Sequence, residues 1–362
     1  MSGTLRDVHI AGTGHFLPES TVTNADLFAL PEIRSGFDVE KARGSLRSLD
    51  PDVAAGLASD EVFDRWALQL TGVSARRVLP DEPGRTTESM CVEAGRNALA
   101  HAGMDAAELD FLVVASLTAY EDVPNAGATV AAGIGRPDLP GYVMNAACAG
   151  FLHALSAAHA YVAAGLRDNV LVIAGDALSR ITNLADPKTA VLFGDGSGAA
   201  ILTAHPARGR LLGPPVIEGE YSPDHLNLTG LGWGTPTGLE HKLSMAGGAN
   251  VLRQAIRTME GVAERALALT PIGWDDVDFL VPHQANERIT QGLEKSLALS
   301  KGRVLHRIAG IGNVSASTVP IVLDELLRGR HGDLPRPARI VLTAVGGGYA
   351  SGAAALEWDE GA

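Results

Sequence analysis

What the chain lacks narrows its reading first. Two cysteines in 362 residues, Cys91 and Cys148, with no Cys-x-x-Cys, cannot make a framework of bridges. The start, MSGTLRDVHIAGTG, has no basic region followed by an apolar core and a small-residue cleavage site. Both features predict a cytoplasmic protein of a reducing compartment. No uninterrupted apolar stretch reaches the roughly 18 residues of a membrane span, so no membrane association is expected. Positive charge is scarce: 29 Lys and Arg stand against 42 Asp and Glu, a formal charge of −13. That balance argues against nucleic acid or an anionic membrane as partner, since both need a positive field. The histidines form no His-x-x-x-His and no Cys/His cluster, so no metal is expected. The densest glycine stretches, Gly194-Asp-Gly-Ser-Gly198 and Gly346–Gly348, read as turns. No Gly-Lys-Ser/Thr follows them and no Gly-x-Gly-x-x-Gly opens a helix, which excludes a nucleotide-phosphate loop. Close backbone approach, with an amide N–H aimed at a ligand oxygen, is their expected use. Aromatics make up only 5%.

What is present is apolar and small. Hydrophobic residues are 46% and glycines number 42, ample for a buried core of closely packed helices. Strands are predicted at Val8–Gly12, Phe111–Ser116, Gly141–Asn145, Val170–Ala174, Gly198–Thr203, Asp278–Pro282, Arg339–Ala344 and Gly352–Glu357. Helices are predicted at Glu88–Ala102, Gly150–Ala164, Asn250–Leu269, Asn286–Leu299 and Val319–Arg328. The alternation predicts an α/β protein with helices covering a mixed sheet. FGDGSGAAILTA near residue 200 is echoed by VGGGYASGAAALEW near the C-terminus, which suggests two similar halves. We place these at 1–205 and 206–362, with the Pro- and Gly-rich His205–Pro223 as junction. An extra segment near 31–65 mixes charges with few apolar residues. It reads either as a solvated cap or as a lid whose Arg43 and Arg47, four apart, meet a phosphate.

Three segments could carry chemistry. Cys148 stands where a predicted strand gives way to a long helix, and the positive end of the helix dipole there favours thiolate. Taken alone, a cysteine among alanines is more often buried filler, the only reading open to Cys91. His283 follows an apolar strand in Leu280-Val-Pro-His-Gln-Ala-Asn286, the place where α/β proteins put their chemistry. Asn313 sits among Gly and small polar residues in Gly310-Ile-Gly-Asn-Val-Ser-Ala-Ser317. Together they suit thioester chemistry: a nucleophile that carries an acyl group, and two neutral donors for a carbonyl oxygen becoming an enolate.

At these motifs the sequence resembles a β-ketoacyl-acyl-carrier-protein synthase III of the thiolase superfamily. AACAGF around Cys148, FGDGSGAA at 193–200, VPHQANERI at 281–289, GNVSASTVP at 312–320 and GGGYASG at 346–352 occur in the family's order. The resemblance implies a thiolase-like duplicated αβαβα five-layer fold, commonly a homodimer. It implies Cys148 as nucleophile with His283 and Asn313, and an acyl oxyanion hole formed by the N–H groups of Cys148 and Gly347. An acyl group is loaded on Cys148; a malonyl-type thioester then loses CO₂, and its carbanion attacks the acyl-cysteine. Substrates are acyl-coenzyme A or acyl-carrier-protein thioesters, without a further cofactor. Trp66, Asn286 and Gly247 match positions that contact the coenzyme or its pantetheine arm.

Departures from the family pattern point to a specialised relative of polyketide or other secondary metabolism. Arginines that grip the nucleotide are replaced by Leu70 and Pro187, the latter beside Lys188. Ile311 precedes the Gly-Asn motif where the family often has His, and the segment near 31–65 is additional. An acidic carrier protein needs a positive landing site, for which Arg253, Arg257, Arg288 and Lys295 are the candidates. Val123 stands where head-to-head condensing relatives carry a glutamate, despite Glu121 and Asp122 nearby, and is expected to line the acyl pocket of a partner subunit. The alternative activity is transfer of the Cys148-bound acyl group to an alcohol or amine, with His283 as base. A silent acyl-binding partner subunit is disfavoured by the intact Cys, His and Asn.

Overall fold

The computed structural model describes residues 5–48, 54, 56–121, 123–222, 226–228, 242–245 and 249–361. Its main sheet has ten strands: β1 (His9–Phe16), β2 (Phe111–Ala115), β3 (Gly141–Met144), β4 (Asn169–Ala177), β5 (Asp195–Thr203), β6 (Gly209–Leu211), β7 (Val216–Ser222), β8 (Phe279–Pro282), β9 (Ala338–Gly346) and β10 (Gly348–Trp358). They run in the order β8-β9-β10-β6-β1-β5-β4-β2-β3, with β7 also on β10.

One pairing pattern occurs twice. β3, β2 and β4 are mutually parallel, and β5 and β1 then add antiparallel. In the second set Val304 bridges β8 in parallel, β8 pairs β9 in parallel, and β10 and β7 add antiparallel. The expected junction is therefore no bare linker: it supplies β6, which joins the sets by pairing with both β1 and β10.

Period-two alternation sorts the side chains into layers. Val113, Val172, Ala200, Leu342 and Leu356 turn inward to one core shared with the helices Gly150–Ala163 and Thr318–Leu327. On the opposite faces, Leu112, Leu171 and Ile201 meet the Thr87–Ala102 helix, while Val341, Val345 and Ala355 meet the Ala249–Leu267 helix. The result is helix, sheet, helix pair, sheet, helix. The Thr318–Leu327 helix is buried at every residue and the Gly150–Ala163 helix over most of its surface, which is why they read as mainly apolar rather than amphipathic.

The FGDG stretch corrects the expected turn. Asp195–Thr203 is a continuous strand, and a Cβ on Gly198 would stand 2.8 Å from Pro320 Cγ and 2.9 Å from Ile321 N. Glycine there admits the protein's own Thr318–Leu327 helix, not a ligand. Asp195 is structural, accepting from the backbone of Leu79 and Ser179 and from the Ser179 hydroxyl. The 31–65 segment forms helices at Pro31–Gly36 and Val39–Arg47 that fold onto the Ser59–Thr71 helix through Ile33, Ala42, Leu46, Val62 and Phe63. Arg43 is not offered to a phosphate, because its guanidinium donates to the carbonyls of Ala54 and Leu57.

A buried ion pair anchors the end of β8. Glu325, at the inner face of its helix, pairs with Arg307 at 2.7 Å, and the Arg307 amide donates to the side chain of Gln284, next to His283. Burial raises the Glu325 carboxyl, but His331 and Arg307 outweigh that and bring it from 4.5 to about 2. A depressed carboxylate stabilises the fold above its unfolded value, and that contribution disappears as pH falls from about 4.5 to about 2. Glu325→Gln is expected to cost about 2–3 kcal/mol at neutral pH. Chemical denaturation should also show a shallower loss of stability for the variant than for wild type across that acid window.

Candidate active site

Cys148 is placed by a strained turn. After β3, the Asn145 side-chain oxygen accepts the Ala147 N–H at 3.0 Å, and Ala147 adopts a left-handed φ of 47°. Such backbone strain is concentrated at functional sites. A single 3-10 turn, Ala147–Ala149, then delivers the thiol to the start of the Gly150–Ala163 helix. Small residues let the surroundings close in: a Cβ on Gly346 would stand 2.7 Å from Cys148 N, so the hairpin turn carrying Gly347 passes beside the Cys148 amide.

The expected thiolate is not the resting form. Burial pushes the Cys148 thiol up to about 12, and the nearby Asp176 charge adds to this. Desolvation exceeds the help of the helix terminus. The same holds for His283, which is 1% exposed and lowered by burial to about 3, hence neutral. Cys91 is inert filler, buried and also raised to about 12.

One turn gathers all three segments. Its centre is Ser315, left-handed at φ 48°, in the Ser315–Ser317 turn that opens the Thr318–Leu327 helix. The Ser315 N–H donates to Asn313 Oδ1 at 2.9 Å, which fixes the carboxamide and leaves Nδ2 with no protein partner among the described residues. Thr318 Oγ1 lies 2.6 Å from His283 Nδ1 and 3.1 Å from the Ser315 carbonyl. The same turn packs against the Ala147–Ala149 turn that carries Cys148. Cys148 and Asn313 keep 6% and 5% of their surface accessible. Thr318 decides the imidazole tautomer, since its one proton can go to Nδ1 or to the carbonyl. When it goes to Nδ1, Nε2–H is the free donor.

Other expected residues stand elsewhere. Trp66 is not an open stacking face: Phe37 of the extra segment packs on it, ring centroids 4.9 Å apart, with Phe63 at 5.7 Å. Leu70 joins the same apolar cluster, and Gly36 abuts Pro187, so the two replaced arginine positions are covered by the added segment. Asn286 is committed to the protein, donating to the Leu70 carbonyl at 2.9 Å and capping the Glu287–Ser296 helix by accepting from Arg288 N. Gly247 and Asp122 lie outside the described residues. Arg253 and Arg257 are exposed on one helix, Arg288 and Lys295 on the helix packed beside it. Val123 is 89% exposed. Among the described residues no helix is long and apolar enough to cross a membrane.

Comparison with known proteins identifies the family. Residues 142–214 match the family model of 3-oxoacyl-[acyl-carrier-protein (ACP)] synthase III, and residues 267–358 its C-terminal model. The β-ketoacyl-[acyl-carrier-protein] synthase III of Rhodospirillum rubrum is 36% identical over 349 residues, 95% of this chain and 97% of that one. The protein of the same name from Roseobacter denitrificans is 34% identical over 357 residues, 98% of this chain and 100% of that one. The chain belongs to the 3-oxoacyl-[acyl-carrier-protein] synthase III family. Among solved structures, the priming β-ketosynthase of the R1128 polyketide biosynthetic pathway superposes with a TM-score of 0.82 at 28% identity, over 99% of this chain and 98% of that one. The synthase III fold thus accounts for the paired strand sets.

The synthase III motifs had pointed to Cys148, His283 and Asn313, but not to Ser315, Thr318 or Asp176. Asp176, at the end of β4, is wholly buried, and its Oδ1 accepts from Ser116, Leu117 and Thr118. A charge closing the apolar run VLVIAGD is the same signal that singled out His283.

Proposed function

We propose that the chain is a condensing enzyme that loads an acyl group on Cys148 and extends it with a malonyl-type thioester. Loading exchanges one thioester for another: acyl–SR and the Cys148 thiol give acyl–S–Cys148 and HSR. In the second half, the malonyl carboxylate leaves as CO₂ and the resulting carbanion attacks the acyl carbonyl. The Cys148 thiolate is expelled and takes up one proton. The fixed Asn313 carboxamide carries this reading: with Oδ1 held by the Ser315 N–H, its NH₂ is left to a substrate oxygen. When Thr318 donates to Nδ1, the neutral His283 presents Nε2–H as the second donor. Two neutral donors favour an enolate that a carboxylate would repel. Transfer to an alcohol or amine has no use for that second donor. Incubation with an acyl donor followed by a malonyl thioester tests the reading. Mass added at Cys148, then CO₂ release, supports it; an adduct without CO₂ release leaves transfer in its place.

The donor is carrier-bound rather than coenzyme A-bound in this reading, because Phe37, Leu70 and Pro187 replace an open, cationic nucleotide grip with apolar packing. The same features, and the likeness to a polyketide priming enzyme, support a specialised role. The exposed Val123 and Tyr120 favour a homodimer in which this loop is covered. Arg253, Arg257, Arg288 and Lys295 would receive the acidic carrier. Arg253→Glu combined with Arg257→Glu is expected to raise KM for an acyl-carrier donor by about tenfold or more while leaving a small thioester mimic within about twofold, measured by steady-state kinetics with both donors.

A further inference from the structure

Two buried carboxylates, Asp176 near the end of β4 and Glu88 in the first turn of the Thr87–Ala102 helix, hold one loop between them. Asp176 is 0% exposed and Glu88 4%. Asp176 Oδ1 accepts from the Leu117 N–H at 2.9 Å and from the Ser116 and Thr118 hydroxyls. Glu88 Oε1 accepts from the Tyr120 N–H at 2.8 Å. The second oxygens, Asp176 Oδ2 and Glu88 Oε2, are buried with no partner among the described residues. Every hydrogen bond of either carboxylate therefore goes to residues 116–120, and none to a cation. Burial of a charge on those terms is costly for stability. Resting on the acyl-loading half of the reading above, we propose that Asp176 and Glu88 are positioning residues that select the acyl chain loaded on Cys148, by fixing the wall formed by residues 117–120.

The loop stands at the site. β2, β3 and β4 are parallel neighbours, so the loop after β2, the Cys148 turn after β3 and Asp176 meet at one edge, where such sheets bind ligands. The Ser116 N–H donates to the carbonyl of Met144, the last residue of β3, at 3.1 Å. A Cβ on Gly150, at the start of the helix behind the thiol, would lie 3.2 Å from Ala115 Cβ. Half-buried Leu117 packs against a buried apolar cluster that includes Leu192 and Phe193. Asn313 lies along that cluster: its N–H donates to the Leu192 carbonyl at 2.9 Å, and it bridges to Phe193. Leu117 is thus tied on one side to the strand that leads to Cys148 and on the other to the segment that carries Asn313.

The fastening is dense for so short a loop. Thr87 Oγ1 donates to the Thr118 carbonyl at 2.7 Å, and the Ala177 N–H donates to Thr118 Oγ1 at 2.8 Å. The positive end of the helix that Thr87 and Glu88 open favours the Glu88 carboxylate. Hydrogen bonds to a charged acceptor are about twice as strong as neutral ones, so two acids hold this backbone more firmly than two amides would. The same loop exposes Tyr120 at 66% and Val123 at 89%, large apolar groups that a free surface loop has no reason to carry. A wall that does not yield rejects each surplus methylene of an acyl chain by about tenfold or more, whereas a loose wall admits it.

Competitive loading tests this. The full chain is given equal amounts of the acetyl and octanoyl thioesters of N-acetylcysteamine, and the two adducts at Cys148 are counted by mass spectrometry. Glu88→Ala removes the acceptor of the Tyr120 N–H and should raise the octanoyl-to-acetyl ratio by about tenfold. Leu117→Ala should shift the ratio the same way. Glu88→Gln keeps an oxygen for Tyr120 and should stay within about twofold of wild type. If Glu88→Ala fails to fold, Asp176→Asn decides: it keeps an oxygen for its three donors, loses the charge, and should shift the ratio by about threefold. Ratios unchanged in both Glu88→Ala and Asp176→Asn overturn the proposal, and so does a shift confined to Leu117→Ala. Equal loss of both adducts that tracks a lower melting temperature would make the carboxylates merely structural. A wild type with no adduct from either thioester removes the loading reading instead. Methyl and hexyl methanethiosulfonate, which modify any reachable thiol, would then read the same ratio at Cys148 and still judge the wall.

Discussion

Cys148→Ala is expected to abolish acyl loading and to lower condensation by at least about 10⁴-fold, the scale on which enzymes lose rate with their nucleophile. The fold should tolerate the change, because the site is already walled by Ala147, Ala149 and Ala316 and loses a single sulfur. Mass spectrometry after incubation with an acyl donor should find no adduct on the variant. Cys91 offers no substitute, being buried against Gly175 with its thiol raised to about 12. Uncoupled CO₂ release from a malonyl thioester should persist, since the enolate donors are on other segments. An adduct that survives the substitution would show that the acyl group is carried elsewhere.

Asn313→Asp is expected to separate the two halves of the reaction in the opposite sense. One carboxylate oxygen can still accept the Ser315 N–H, so the turn keeps its shape. The other replaces an NH₂ donor by a negative charge beside a developing negative charge. Loss of one such donor costs about 10²–10³-fold, and the added repulsion should take malonyl decarboxylation to about 10³-fold below wild type. Acyl loading of Cys148 should fall far less. Timed measurement of acyl-cysteine and of CO₂ on the same sample reads both. Equal losses in both would mean that Asn313 only shapes the turn, and the enolate role would lapse.

The layered core was legible in the sequence because it is written in local periods. Unbroken apolar runs in FLVVA and VLVIA mark strands with two buried faces, and the mostly apolar Gly150–Ala163, interrupted only by His153, Ser156 and His159, marks a helix largely covered by its neighbours. Cys148, His283 and Asn313 were legible as a set, through motifs that resemble the synthase III family, because singly a buried cysteine, a structural histidine and a turn asparagine fit the same local pattern. The FGDG stretch misled because glycine serves both turns and close packing, and only the helix lying on Gly198 tells them apart.

The chain's residues by themselves determined the α/β class, through local pattern, and the family motifs that single out Cys148, His283 and Asn313, through residue chemistry. Only the folded molecule decided protonation and neighbourhood. Burial, assembled from segments up to 165 positions apart (148 to 313), keeps Cys148 a thiol and His283 an uncharged ring, against the pull of a helix terminus. It also covered Trp66 with Phe37 and packed the Ser315–Ser317 turn against β4. Desolvation and proximity are properties of the packed interior, and no stretch of chain contains them before it is closed.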